Sequence, residues 1–174
     1  MNTAEANDLR DLYQDLILDH GKRPRNFHAL PSANHEALGH NPLCGDRLNL
    51  YVTVDDKGTI TDAAFQGSGC AISVASASMM TEMLKGKNAS EAAHLFEYMH
   101  ASCTGKPADE AGIDEDDVAR IKALAGVRDF PIRVKCATLA WHTLQAALKN
   151  ETGAVAVASL GAEQSRPINK VSTE

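Results

Sequence analysis

The chain has no C-x-x-C pair, no excess of basic residues, no long apolar run and no internal repeat. Each absence narrows the possibilities. With a formal net charge of -6, it lacks the basic face that nucleic-acid binding requires. The same charge argues against an anionic membrane surface as partner. No apolar stretch approaches the roughly 20 residues needed to span a bilayer. Residues 1–10 are polar and acidic, without the basic region and apolar core of a secretory leader. The expected compartment is the cytoplasm, where thiols stay reduced, so the four cysteines are expected to be free rather than paired in disulfides. With 174 residues the chain can build one domain around a real core.

What is present is a set of thiols in unusual settings. Cys44 lies in Asn41-Pro42-Leu43-Cys44-Gly45-Asp46, Cys70 follows Gly67-Ser68-Gly69, and Cys136 lies in Lys135-Cys136-Ala137-Thr138. Gly45, lacking a Cβ, lets the chain curl so that Cys44 and Asp46 can aim at one ion. Cys70 is expected where a strand hands over to a helix, and Cys136 in the first turn of the last helix. At a helix N-terminus the partial positive charge favours a thiolate. Three thiolates and a carboxylate make a complete tetrahedral set for zinc. Thiolates are also the nucleophiles of sulfur chemistry. Arg133 and Lys135 flank Cys136 and can offset the negative charge of such a site. Cys103 sits in a polar stretch and reads as a spare thiol. His40 reads as a solvated loop residue, and Met79, Met80 and Met83 as core.

The periodicities predict an α+β fold, a small antiparallel β-sheet packed against several α-helices. Leu9, Leu12, Tyr13, Leu16 and Ile17 predict a helix over 8–20 with Asp8 as cap. A polar loop is expected from there to about His40. Leu48, Leu50, Val52 and Val54 alternate as in a half-buried strand, and the Asp55-Asp56-Lys57-Gly58 turn returns a partner strand over 59–65. Further helices are expected from about Ile72 to Gly86, from a Ser90 cap to Met99, and from Asp114 to Leu124. The first of these, rich in Ala and Ser, is expected to let another element approach closely. Residues 101–112 read as a loop, and 114–117 as a solvated helix N-terminus. The last helix is expected to start at Ile132 or Arg133, reach Lys149, and lay Val134, Ala137, Thr138, Trp141, Leu144 and Leu148 on the sheet. The domain is expected over 1–150, with a flexible C-terminal tail over 151–174.

Leu12-Tyr13 through Ile17-Leu18-Asp19-His20, Pro24-Arg25-Asn26, Cys44-Gly45-Asp46-Arg47, Gly69-Cys70-Ala71-Ile72-Ser73 and Lys135-Cys136-Ala137-Thr138-Leu139 occur in that order. Together they resemble the U-type (NifU/IscU-like) iron–sulfur cluster assembly proteins, over about residues 9–149. Two features resemble the SUF-system branch rather than the Isc type: Lys135 stands where the Isc type has histidine, and residues 100–128 resemble that branch's extra segment. Phe130-Pro131-Ile132-Arg133 replaces the proline motif that recruits the Isc chaperone. The resemblance implies zinc held by Cys44, Asp46, Cys70 and Cys136, with Cys44 accepting persulfide sulfur and Arg133 supporting the reaction. It implies a pyridoxal-phosphate cysteine desulfurase of the SufS type as partner, and SUF cluster-assembly proteins downstream. An iron–sulfur scaffold, with iron or a nascent cluster on the same residues, is the alternative, because cluster ligation needs thiolates and little else. A purely structural zinc domain is a third reading.

Overall fold

A computed structural model describes residues 3–149, 154–156 and 166–168. Helix α1 (Thr3–Lys22) begins earlier than the apolar periodicity indicates. Its first residues, with two alanines and a glutamate, are good helix formers without an apolar stripe, so Asp8 lies inside the helix rather than capping it. Strand β1 (His35–Asn41) occupies a segment expected to be loop. Its inward residues are Ala37, Gly39 and Asn41, too small and polar to produce an apolar alternation. Tertiary packing makes the strand: a Cβ on Gly39 would collide with Thr143 Oγ1, so the last helix lies directly against it.

Strands β2 (Asp46–Val54) and β3 (Ile60–Ser68) form the expected hairpin, with Leu50 opposite Phe65 and Val52 opposite Ala63. Asp55 Oδ1 accepts the backbone N–H groups of Lys57 and Thr59 (both 2.9 Å), and Gly58 supplies a φ of +82°. β1 pairs antiparallel with β2. Two short strands, β4 (Ala154–Ala156) and β5 (Arg166–Ile168), lie within the segment expected to be tail. β4 pairs parallel with β1 and β5 antiparallel with β4, giving the order β3-β2-β1-β4-β5. The free hydrogen-bonding edge of β1 accounts for β4 being a strand. The rest of 151–174 lies outside the described residues.

Helices α2 (Ala71–Leu84), α3 (Ala89–Thr104), α4 (Glu115–Leu124) and α5 (Pro131–Leu148) complete the chain. The small side chains of α2 admit α5 closely: Trp141 Nε1 donates to Ser76 Oγ at 3.0 Å, and that hydroxyl donates to the Ala137 carbonyl. Met79, Met80 and Met83 are core, as expected. α5 is buried on more than one face from Lys135 to Ala147: Thr143 and Leu139 meet β1, whereas Ala137 and Trp141 meet α2. Its sheet face is therefore rotated from the expected one.

Asn88, not Ser90, caps α3, in a capping box with Glu91. That helix continues to Thr104, where Gly105 ends it at φ +72°. Cys103 is therefore not in a loop. It is fully buried against Met99, and burial pushes its thiol up to about 12. Asp114 caps α4 as expected, but Asp117 is buried between Lys87 (3.1 Å) and Arg120 (2.9 Å) rather than solvated.

His142 on α5 carries a pH dependence. Its ring is buried against Phe96 (5.2 Å between centroids) and His100 (5.8 Å). Burial first, then the neighbouring His100, hold it down at about 4. The folded state thus favours neutral imidazole, while the unfolded chain takes a proton near pH 6.5. Its contribution is full above pH 6.5 and is lost as pH falls toward 4. About 3 kcal/mol is at stake from this group. We expect urea midpoints to fall between pH 6.5 and 4, and His142→Phe to flatten that slope.

Candidate functional site

The site forms where the β1–β2 loop meets α2 and α5. Asn41 and Asp46 pair across the base of a four-residue loop that carries Cys44. The Gly45 N–H donates to the Asn41 carbonyl at 2.8 Å, and Gly45 takes a φ of +73°, a conformation that favours glycine. Cys44 is exposed at the tip. Asp46 starts β2, and the strand alternation that buries Leu48 and Leu50 also turns its carboxylate inward, leaving it 2% exposed.

Cys70 is the N-cap of α2, and its sulfur accepts the Ser73 N–H at 3.4 Å. The Cys70 N–H donates to Asp46 Oδ1 at 3.0 Å, and Cys70 Sγ lies 3.8 Å from Asp46 Oδ2. Gly69 makes room for this carboxylate, since a Cβ there would lie 2.7 Å from Oδ1. With Oδ1 engaged by backbone, Oδ2 is the oxygen left to face the thiols.

Cys136 Sγ lies 3.4 Å from Cys44 Sγ. Because α5 begins at Pro131, one or two residues earlier than expected, Cys136 falls in its second turn and is 3% exposed. The expected helix-terminus activation is therefore divided. Cys70 is lowered to about 6, by the hydrogen bond from Cys136 first and by the Ser73 and Ile72 N–H groups at the helix start, against the opposing cost of burial. Cys136 is pushed up, by that same pairing first and then by burial and Cys44.

Donor atoms of Cys44, Asp46 and Cys136 lie within 4.8 Å of one another, close enough to hold a metal ion, and Cys70 joins them through Asp46 Oδ2. Of the four side chains singled out in the sequence, Cys44, Asp46 and Cys136 form one group, and Cys70 lies beside that group, in contact with Asp46. Three soft sulfurs and one harder oxygen fit a four-coordinate ion such as zinc. Arg133 does not join them. It is exposed on the first turn of α5, with its guanidinium 5.0 Å from the Phe130 ring centroid. Among the described residues no hydrogen bond or ion pair ties it to a thiol. Lys135 is 5% exposed. The sequence reasoning placed Gly69 as a turn beside Cys70 but not as the space that admits the Asp46 carboxylate, and it missed Ser73 as a donor to sulfur.

This arrangement defines a thiolate protein of metal or sulfur handling: two buried donors at the back, two exposed cysteines at the mouth. The chain belongs to the family described as the NifU-like N-terminal domain, whose model matches residues 12–137. It is 41% identical over 145 residues to the zinc-dependent sulfurtransferase SufU of Bacillus subtilis (strain 168), covering 83% of this chain and 95% of that protein. It is 39% identical over 148 residues to the iron–sulfur cluster assembly scaffold protein IscU of Streptococcus pyogenes serotype M1, covering 84% and 88%. Among solved structures it is similar to a putative iron–sulfur cluster assembly scaffold protein for the SUF system from Fervidobacterium islandicum AW-1 (TM-score 0.71, 34% identity, covering 80% of this chain and 98% of that one). Among the described residues no helix is long and apolar enough to cross a membrane.

Proposed function

We propose that this protein is a zinc-dependent acceptor and carrier of persulfide sulfur in iron–sulfur cluster assembly. Its donor is a cysteine desulfurase of the SufS type, its recipients are SUF cluster-assembly proteins, and it works in the reducing cytoplasm. The observation that carries the reading is Cys44: an exposed thiol on a glycine-hinged loop, 3.4 Å from the buried Cys136 and grouped with Asp46. The likeness to the Bacillus sulfurtransferase points the same way.

Cys44, Asp46, Cys70 and Cys136 would hold the zinc. Bound zinc supplies a positive charge that keeps the thiolates deprotonated. Asp46, a harder and weaker donor than sulfur, makes the set easier to open than four thiolates. The Cys44 thiolate then attacks the outer sulfur of the persulfide on the desulfurase. The bond between that persulfide's two sulfurs breaks, the partner's cysteine leaves as thiolate, and Cys44 becomes the persulfide. One S–S bond is exchanged for another, so no outside oxidant or reductant is needed. Arg133, exposed one turn before Cys136, contributes a cation toward the docked partner. Leu43, Phe130 and Ile132, 62%, 52% and 59% exposed, lie within a few residues of the site cysteines and give the partner an apolar rim.

The scaffold reading stands second, favoured by the Streptococcus relative. Anaerobic purification with metal and acid-labile sulfide analysis separates the two. We expect one zinc per chain and no sulfide. Iron with stoichiometric sulfide would overturn the relay in favour of the scaffold.

A further inference from the structure

Asn41 is the one fully buried carboxamide at the site, and its two ends are engaged in different ways. Its Oδ1 accepts the Leu43 N–H at 3.1 Å, inside the loop that carries Cys44. A backbone N–H can only donate, so the other end of the amide is the NH₂ group. That group points at Cys136 Sγ, 4.0 Å away, and among the described residues the sulfur is its hydrogen-bond partner. The Asn41 carbonyl also receives the Gly45 N–H. One residue thus ties the Cys44 loop to the sulfur donor on α5.

We propose that Asn41 is a positioning residue that sets the three thiols apart. Zinc with three thiolates and a carboxylate sums to two negative charges, and N–H donors to sulfur spread that charge. Cys70 has such a donor in Ser73, and Cys136 has one in Asn41. Among the described residues Cys44 has none from backbone or side-chain nitrogen. Cys70 and Cys136 are therefore the anchored sulfurs, and Cys44 is the one free to leave. Asn41 supplies both halves of this division, by holding the loop's shape with one end and anchoring Cys136 with the other.

This inference rests on the zinc reading above. Asn41→Asp keeps the acceptor for Leu43 but replaces the NH₂ donor by an oxygen facing sulfur; Asn41→Ala removes both ends. In competition with a chromogenic chelator, both variants are expected to hold zinc about 10- to 100-fold more weakly than the unaltered protein. Asn41→Asp is expected to be the weaker of the two, and in both variants the loss of zinc affinity is expected to exceed the loss of zinc-free stability. Wild-type affinity in both variants would overturn the inference. So would a loss of affinity matched by an equal loss of zinc-free stability, which marks a merely structural residue. The unaltered protein gives an independent readout: loaded with ¹¹³Cd, its Asn41 side-chain amide proton should show scalar coupling to the metal through sulfur. Absence of that coupling overturns the role. An unaltered protein that takes up no zinc or cadmium sinks the metal reading itself, a result distinct from tight binding that ignores Asn41.

Discussion

Cys44→Ala is expected to abolish the stimulation of a cognate cysteine desulfurase, leaving alanine production from cysteine at the enzyme's basal rate. Three observations single out this thiol. It is exposed, as Cys70 is, whereas Cys136 and Cys103 are buried. It sits on a loop whose Gly45 holds a left-handed φ of +73°, so the loop turns sharply beside it. It also lacks the nitrogen donors that Cys70 and Cys136 have among the described residues. Cys103→Ala is expected to leave stimulation intact, because that thiol is enclosed in α3 and pushed up to about 12. Its neutral, enclosed sulfur can neither reach nor attack a partner's persulfide. Arg133→Ala should keep zinc yet transfer sulfur roughly tenfold more slowly, the size of a contact of about 1.4 kcal/mol, with a weaker salt dependence than wild type. Stimulation that survives Cys44→Ala would remove Cys44 as acceptor.

The parts of this molecule that were legible in the sequence are those whose signal is local. Leu48, Leu50 and Val52 alternate because one face of β2 is buried, and a period of two records that directly. Asp114 announces α4, and Gly69-Cys70 announces the start of α2, through cap chemistry that involves only neighbours. β1 was not legible because its place depends on α5, a hundred residues away: Gly39 is in contact with Thr143, and no apolar side chain marks the inward face. Cys103 was misplaced because Ala101-Ser102-Cys103-Thr104 reads as polar, while its fourth helical turn is held by packing against Met99. The site divides in the same way. Glycine turns beside Cys44 and Cys70 identified those thiols, and the helix start identified Cys136. The opposite shifts of the Cys70 and Cys136 thiols, and the amide of Asn41 between loop and helix, follow from long-range packing that no spacing encodes.

Cys136→Ala and Cys70→Ala should each release the metal and lower the melting temperature of the zinc-loaded protein by about 8–16 °C. The size follows from linkage. A ligand held at a thousand times its dissociation constant stabilises the native state by about 4 kcal/mol. In a chain of this length each kcal/mol moves the midpoint by about 2–4 °C. The two variants separate once metal is chelated. Cys136 is enclosed and its thiol is small, so alanine there leaves a modest void, and the zinc-free variant should melt near zinc-free wild type. Cys70 also caps α2 by accepting the Ser73 N–H, so its loss costs a further ~1 kcal/mol with or without metal. Calorimetry of all three proteins with zinc and with chelator, beside metal content by elemental analysis, resolves the two contributions. The wild type alone should show a large zinc-dependent shift, and Cys70→Ala should melt lowest of the three without metal. Unchanged metal content and melting temperature in both variants would mean that the thiols meeting beneath Cys44 hold no ion, and that the loop is kept in place by Asn41 and the β1–β2 pairing alone.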